Sequence, residues 1–516
     1  MAAGVAGWRP GAGAGFGPGE RGGGGGWPPR ARGGARGGAA GGGRAGGRGG
    51  AGGGGPPGGL SALLRLLGLG LLLGLALLLL GRGLPGPGAG PWGGVALPVV
   101  GLGGRPGSDP PGQEAYTVVI DAGSTGSRVH IFRFKKLDGS FKLVSDAFHQ
   151  LKPGLSAFAG NPTAAAGSLD PLLARAVEAV PAALRAETQL ELRATAGLRL
   201  LPGGQAEEIL AAVRERFART PFLSRRDSVS ILDGSDEGAY MWLTMNYLLG
   251  NLEKGYAGTV GSIDLGGGSV QQAYAVSHAA AAEAPPGYVQ KVRAGDQAYN
   301  VYVHSYLGHG LMAGRAGALD SARLGAGQEW AESACMPSGY DKAYVYAGKE
   351  HVAVGADAPG GAEHCAADVR LSLLKEKPCE VKFQCSFGGA WSGGGGEGAR
   401  AMYLTSYFFD RAVEAGLAPS SATSARLRPA EFRAKADAVC RLPWKGLSDM
   451  QARFPDVEAD HAPFVCMDLS FIASLLVDGF KIAPEAELVV VKQFLYNGLL
   501  FESAWPLGAA INTLSG

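Results

Sequence analysis

Residues 116–134 read YTVVIDAGSTGSRVHIFRF, and residues 261–276 read GSIDLGGGSVQQAYAV. Each is an apolar, β-branched run that ends on an aspartate, passes a turn of small residues and resumes as a second run, the pattern of strand, turn and strand. Ile120-Asp121-Ala122-Gly123 and Ile263-Asp264-Leu265-Gly266 repeat the same opening 143 positions apart. Glycine turns expose backbone N–H groups as an anion nest, and hydroxyls at the turn add donors. Ser124, Thr125 and Gly126 in the first copy, and Gly266, Gly267 and Gly268 in the second, are therefore candidate phosphate-binding residues. Asp121 and Asp264, each at a strand end, are candidates to hold a divalent cation, Ca2+ or Mg2+, through its water shell. One glycine-rich turn is more often structural than functional. Two matching copies within α/β sequence favour the functional reading.

Outward from these copies the body alternates strand and helix signals, which predicts an α/β fold with mixed sheets. A helix is expected from near Ser168, with Pro171 in its first turn and Pro181 at its end or kink. The strand LELRATAG, a helix over 205–218, the strand VSILDG and the helix DEGAYMWLTMNYLLG follow. Further on, GGAWSGGGGEG reads as a loop, and MYLTSYFFDRAVEAG as a helix capped by Gly416. CMDLSFIASLLVDGF is also read as a helix; Asp468 and Asp478 bracket it, so it is not a membrane span. Thr195, at the end of LELRAT, offers a hydroxyl to a phosphate. Glu237, in Gly234-Ser235-Asp236-Glu237-Gly238, offers a carboxylate that could deprotonate a nucleophile. On spacing alone, acidic residues opening a helix are explained by the helix dipole.

The chain has 88 glycines in 516 residues, 29 of them within residues 1–59. That stretch has almost no aliphatic side chains to bury, so it reads as a disordered Gly/Arg-rich cytosolic tail. Residues 1–105 carry ten Arg against one acid, so the formal charge of +2 divides into +9 there and −7 over the remainder. A mildly acidic body and a basic tail without interleaved aromatics argue against nucleic acid as a partner. Leu66–Gly81 is uncharged between Arg65 and Arg82, and with Leu60 onward gives about 20 residues, enough to cross a bilayer. A cleaved signal peptide fits less well, because the apolar run is long, sixty residues precede it and no A-x-A site follows. Residues 60–82 are thus expected to be a signal anchor, with the Arg-rich side cytosolic and the body lumenal or extracellular. Residues 83–114 form a Gly/Pro linker.

Six cysteines, Cys335, Cys365, Cys379, Cys385, Cys440 and Cys466, suit that oxidising side. None forms a CxxC pair. Sequence neighbours suggest 335–365, 379–385 and 440–466, one of fifteen possible pairings. No usable glycosylation sequon is present, since Asn161 is followed by Pro162, which favours an internal secretory membrane, the Golgi, over the cell surface.

The duplicated loop resembles the phosphate clamp of the actin, heat-shock chaperone and sugar kinase superfamily. DAGSTGSR, ATAGLRLLP, GSDEGAYMW, DLGGGSVQ and CMDLSFIASLL resemble, in order, the five signature regions of the apyrases, the nucleoside triphosphate diphosphohydrolase family. GSDEGAYMWLTMNYLLGN, CSFGGAWSGGGGEG, SYFFDRAVEAG and ESAWPLGAA are most similar to the plant and green-algal variant. The resemblance covers about residues 116–516. It implies two actin-like (ribonuclease H-like) lobes, 116–234 plus about 486–516 and 235–485, with the active site in the cleft between them. It further implies metal-dependent removal of terminal phosphates from nucleoside tri- and diphosphates by direct attack of water. Glu237 falls on the family's base, Ser269 and Gln271 on the groups that position the water, and Tyr407 and Phe408 are candidates for stacking on the nucleobase. Gly126 stands where surface-type animal members carry His, as in plant and internal-membrane members. A Golgi-type nucleoside diphosphatase, or a catalytically silent nucleotide-binding membrane protein, are the alternatives; the oligomeric state is left open.

Overall fold

The computed structural model describes residues 113–515 apart from 138–139, 295–296, 327–330, 357–360, 375–378 and 380–384. The expected tail and anchor lie outside the described residues, as does the linker up to residue 112. Strands β1 (Glu114–Ala122), β2 (Ser127–Leu137), β3 (Ser140–Leu151), β4 (Gln189–Ala194) and β5 (Val229–Ile231) make one sheet in the order β3-β2-β1-β4-β5. A second sheet contains β6 (Gly261–Leu265), β7 (Ser269–Val276), β8 (Val289–Ala294) and β9 (Gln297–Leu307). After a separate hairpin of β10 (Asp341–Tyr346) and β11 (Lys349–Val354), it adds β12 (Met402–Ser406), β13 (Ser424–Leu427) and β14 (Leu488–Val491). Its order is β13-β14-β12-β6-β7-β9-β8.

The repeat seen in the sequence is a repeat of sheets. In the first, β3, β2 and β1 are antiparallel neighbours, and β4 and β5 then join parallel. In the second, β9, β7 and β6 are antiparallel, and β12 and β14 join parallel. Each Asp-to-glycine turn is the hairpin between the corresponding strands, β1–β2 and β6–β7.

The helices follow the same logic. Asp170–Ala179 (α1) carries Pro171 in its first turn, where a missing N–H costs nothing, and ends before Pro181. With Gln205–Phe217 (α2) it closes an apolar core against the first sheet. Gly234–Leu248 (α3) is buried along most of its length, capped by Asp233, whose side chain accepts from the Ser235 N–H. Leu311–Ala326 (α4), Tyr407–Glu414 (α5) and Val465–Ser474 (α6) flank the second sheet, and Trp505–Ser515 (α7) packs on α3. A core of Val119, Phe132, Phe134, Met241, Met245, Tyr403, Val491 and Trp505 joins residues of both sheets to α3 and α7. The structure pairs Cys335 with Cys365, Cys379 with Cys385 and Cys440 with Cys466.

Two expectations differ from the structure. MYLTSYFFDRAVEAG is not one helix: Met402–Ser406 is a strand, and the helix begins at Tyr407. Parallel pairing with β6 and β14 on either side decides this, and nothing local to the run signals it. Residues 486–516 are expected in the first lobe, but Leu488–Val491 pairs with the second sheet, while α7 contacts β1, β2, β8 and mainly α3. The run from Ala462 to Gly479 is long and apolar enough to cross a membrane by composition alone, yet it lies buried in the core.

Candidate active site

The two hairpin turns face each other across a cavity of about 520 Å3. Asp121, Ser124, Thr125, Thr195, Glu237, Asp264, Gly266, Gly267, Gly268, Ser269 and Tyr407 all line it. The turns approach closely, since a Cβ on Gly267 would strike the Ser124 hydroxyl, and a Cβ on Gly268 would lie 2.8 Å from the Cβ of Ala196, just beyond β4. Gly126 does not line the cavity. Its carbonyl accepts from the Gly123 N–H at 2.9 Å, and a Cβ there would lie 2.8 Å from the Leu151 oxygen, so it shapes the turn.

Glu237 enters from the first turn of α3. Gly238 allows this, because a Cβ at that position would come within 2.6 Å of Val303 on the sheet beneath. The Glu237 Oε2 accepts from Arg199 Nη2 at 2.6 Å and from Gln271 Nε2 at 3.0 Å. Gln271 Nε2 also reaches the hydroxyls of Ser269, at 2.7 Å, and Ser305, at 3.1 Å. Gln271 therefore stands behind Glu237 and Ser269 and is not itself on the cavity wall. Burial pushes the Glu237 carboxyl up to about 8; Arg199 opposes this, and Asp264 and Asp121 add to it.

The aspartates are held differently. Asp264 Oδ1 accepts from Thr405 Oγ1 at 3.0 Å and Ser406 Oγ at 2.6 Å, both at the end of the neighbouring parallel strand β12. Ser406 has φ of 59°, a left-handed conformation unusual for a non-glycine residue, which turns the chain from strand into helix beside Asp264. Asp121 Oδ2 accepts from Arg128 Nη1 at 3.3 Å, while Asp121 Oδ1 is buried without a partner. Burial holds both carboxyls above the ordinary aspartate range, and each side chain's charge adds to the penalty on Glu237.

Such a group fits a divalent cation. Three buried carboxylates that repel one another and one orphaned carboxylate oxygen are what a positive charge would relieve. Among the described residues no group of three His, Cys, Asp or Glu side chains is placed to ligate an ion directly. Retention through water, the habit of Mg2+, suits that arrangement.

Of the two base-stacking candidates, Tyr407 lines the cavity, and its hydroxyl is 3.5 Å from the Thr125 hydroxyl. Phe408 does not: it is fully buried in the core of the second sheet, since consecutive helical side chains point about 100° apart. Phe409 borders the cavity, although it too is buried in that core. Sequence reasoning missed Arg199, Arg128, Thr405 and Ser406. Arg199 and Arg128 sit inside the quoted motifs, and an arginine directly after a phosphate turn was the available signal; the β12 hydroxyls had none, because the strand itself was misread.

Residues 110–516 match the GDA1/CD39 (nucleoside phosphatase) family. Probable apyrase 1 of Oryza sativa subsp. japonica is 42% identical over 416 residues, covering 78% of this chain and 83% of that one. The apyrase of Solanum tuberosum is 40% identical over 410 residues, covering 78% and 88%. The nucleoside diphosphate phosphatase ENTPD5 of Homo sapiens is 35% identical over 408 residues, covering 77% and 87%. Among solved structures, the nucleoside triphosphate hydrolases of Neospora caninum share the fold, with a TM-score of 0.55 at 15% identity over 78% of this chain and 93% of that one.

Proposed function

This chain belongs to the GDA1/CD39 (nucleoside phosphatase) family, and from that premise and the cleft geometry we propose that it is an apyrase cutting terminal phosphates from nucleoside tri- and diphosphates. It is a hydrolase of phosphoric anhydrides, and the family depends on divalent cations. The observation that carries the reading is a buried carboxylate, Glu237, raised to about 8 and fixed by Arg199 and Gln271 in the cavity that the two phosphate turns share.

The residues divide the work. Ser269 orients a water, Gln271 holds Ser269 and Glu237 in position from behind, and Glu237 accepts the water's proton as its oxygen attacks the terminal phosphorus in line. Ser124, Thr125 and Thr195, with the backbone of Gly266, Gly267 and Gly268, donate to the phosphoryl oxygens where charge spreads. Gly126 keeps the first turn tight enough to do so. Asp121 and Asp264 would hold Ca2+ or Mg2+ through water, and the ion when bound neutralises phosphate charge. Tyr407 supplies an aromatic face toward the nucleoside. The products are orthophosphate and the shortened nucleotide.

The test is phosphate release from a panel of nucleoside di- and triphosphates, with Ca2+, with Mg2+ and with EDTA. Release from both classes that EDTA abolishes is expected; release from neither overturns the reading. A second reading, a nucleoside diphosphatase with little triphosphate activity, is favoured by the 35% identical nucleoside diphosphate phosphatase. The ratio of the two rates decides between them. For location, the Arg-rich side of residues 60–82 and three disulfides in the body support one membrane helix with the catalytic body in the lumen, in the Golgi.

A further inference from the structure

Near its C-terminus the chain forms an apolar tip that takes no part in the reaction described above. Gln493–Tyr496 (β15) and Leu499–Glu502 (β16) pair as a hairpin around the turn Asn497-Gly498. Its inner pair, Phe494 opposite Phe501, is buried in the core that joins the two sheets. The outer pair, Leu495 opposite Leu500, is 70% and 51% exposed, and Leu499 beside the turn is 49% exposed. A single exposed leucine is ordinary; three within six residues make a patch.

The tip stands at a defined end of the body. Tyr496 packs its ring on Tyr247 at 5.4 Å and donates to the Tyr247 hydroxyl at 3.3 Å, which in turn accepts from the Leu143 N–H at 2.9 Å. Leu143 pairs with Phe134, and Phe134 with Ala115, so Ala115 is two strands away, about 10 Å. There the chain enters the body from residues 83–112 of the expected linker. Lys136 and Lys142 lie at this same end of the first sheet and are exposed, Lys136 over the ring of Phe141.

We propose that this end of the body, the leucine tip of the hairpin beside Lys136 and Lys142, docks on a phospholipid bilayer surface. Leucines that enter the acyl boundary and ammonium groups that pair with headgroup phosphate are the two parts of an interfacial contact. The membrane is the occupant because the chain enters the body at this end, and because three leucines cover far less than the ~800 Å2 per partner of a stable dimer. At about 3.5 Å per residue, residues 83–112 reach ~100 Å at most, so the tether keeps the body near the bilayer and a weak contact suffices to orient it. Tyr247 follows Glu237 by ten residues, about 15 Å along α3, so lipid at this end stays clear of the reacting groups. The proposal rests on the reading of residues 60–82 as a membrane anchor and adds how the body lies on that membrane.

The experiment uses the full chain reconstituted into phosphatidylcholine vesicles with a minor share of phosphatidylserine. All six cysteines are paired, so Leu499→Cys supplies one thiol for an environment-sensitive fluorophore, and Leu371→Cys, at a 60% exposed leucine on the helix Gly361–Leu373, is the control. Emission from position 499 should shift to the blue and be quenched by nitroxide-bearing lipid, and emission from position 371 should do neither. Adding Leu495→Ser and Leu500→Ser should bring position 499 to the level of 371 with nucleotide hydrolysis unchanged. Lys136→Gln with Lys142→Gln should lower the docked-to-free ratio on the order of 10-fold or more. Quenching at 499 no greater than at 371 overturns the proposal. So does self-association of the chain in detergent that the two serine substitutions abolish, which makes the tip a contact between copies. Loss of the chain from the vesicles on alkaline extraction overturns the anchor reading and the docking with it, whereas an anchored chain with an unquenched tip overturns the docking alone.

Discussion

Glu237 is the residue on which the chemistry turns, and its environment makes it a base that titrates within the working range. A free glutamate is ionised well below neutrality and is a weak base. Burial raises Glu237 to about 8, and Arg199 at 2.6 Å restrains that rise. Replacing Arg199 with Met removes the restraint, so the proton is held to higher pH. The acid limb of the kcat/KM profile should move upward in Arg199→Met, with activity at pH 7 lower by about 10-fold. A profile that loses height without moving would mean that Arg199 acts on substrate and not on Glu237. That Glu237 has a base's surroundings was not legible in the sequence. Two acids at the start of a helix look the same whether they answer a dipole or a substrate. Arg199 is 38 positions away from Glu237 and Gln271 is 34, and only the folded chain brings them together.

At the scale of elements, the turns were readable because each carries its own chemistry: an aspartate, glycines and hydroxyls in one short stretch, written twice. Strand β12 was not readable. It passes into α5 with no glycine or proline between them, and its strand state comes from partners more than 80 residues away in either direction. The Ser406 hydroxyl that steadies Asp264 was lost with it. How the elements are held suggests two tests. Gly238 lets α3 lie on the sheet, so Gly238→Ala should cost about 1–3 kcal/mol of stability and displace Glu237. Chemical denaturation and turnover measured together check this; parent stability would mean that the sheet yields to the methyl. Arg315 on α4 makes a two-pronged bond to buried Asp468 on α6, which also takes Arg411 from α5. Arg315→Met leaves a buried carboxylate short of charge and should cost about 3–5 kcal/mol in the same denaturation experiment. A loss under about 1 kcal/mol would show that Arg411 alone satisfies Asp468.

Across the described residues a duplicated sheet closes around a cleft, and the duplication explains why carboxylates from both sheets crowd together. Asp121 and Asp264 occupy equivalent strand ends, so when the turns meet, their charges meet as well. The pKa values of these groups are raised by folding, so without a cation the cluster favours folding at low pH. That contribution is fully present below the unfolded carboxylate values and is lost as pH rises through the folded ones, which for Glu237 is about 8. A divalent cation reverses the balance by favouring the ionised forms. The rise in Tm on adding millimolar Ca2+ or Mg2+ should therefore be larger at pH 8 than at pH 6, and should shrink in Asp264→Asn. Equal shifts at both pH values would place the cation elsewhere.

The central claim is that Glu237 deprotonates water between two phosphate turns, and single-turnover phosphate release paired with nucleotide binding in Glu237→Gln tests it most directly. The amide keeps the shape and loses the base, so binding of metal and nucleotide should persist while release slows by a factor on the order of 10² or more. Release at the parent rate from a variant that still binds would contradict it.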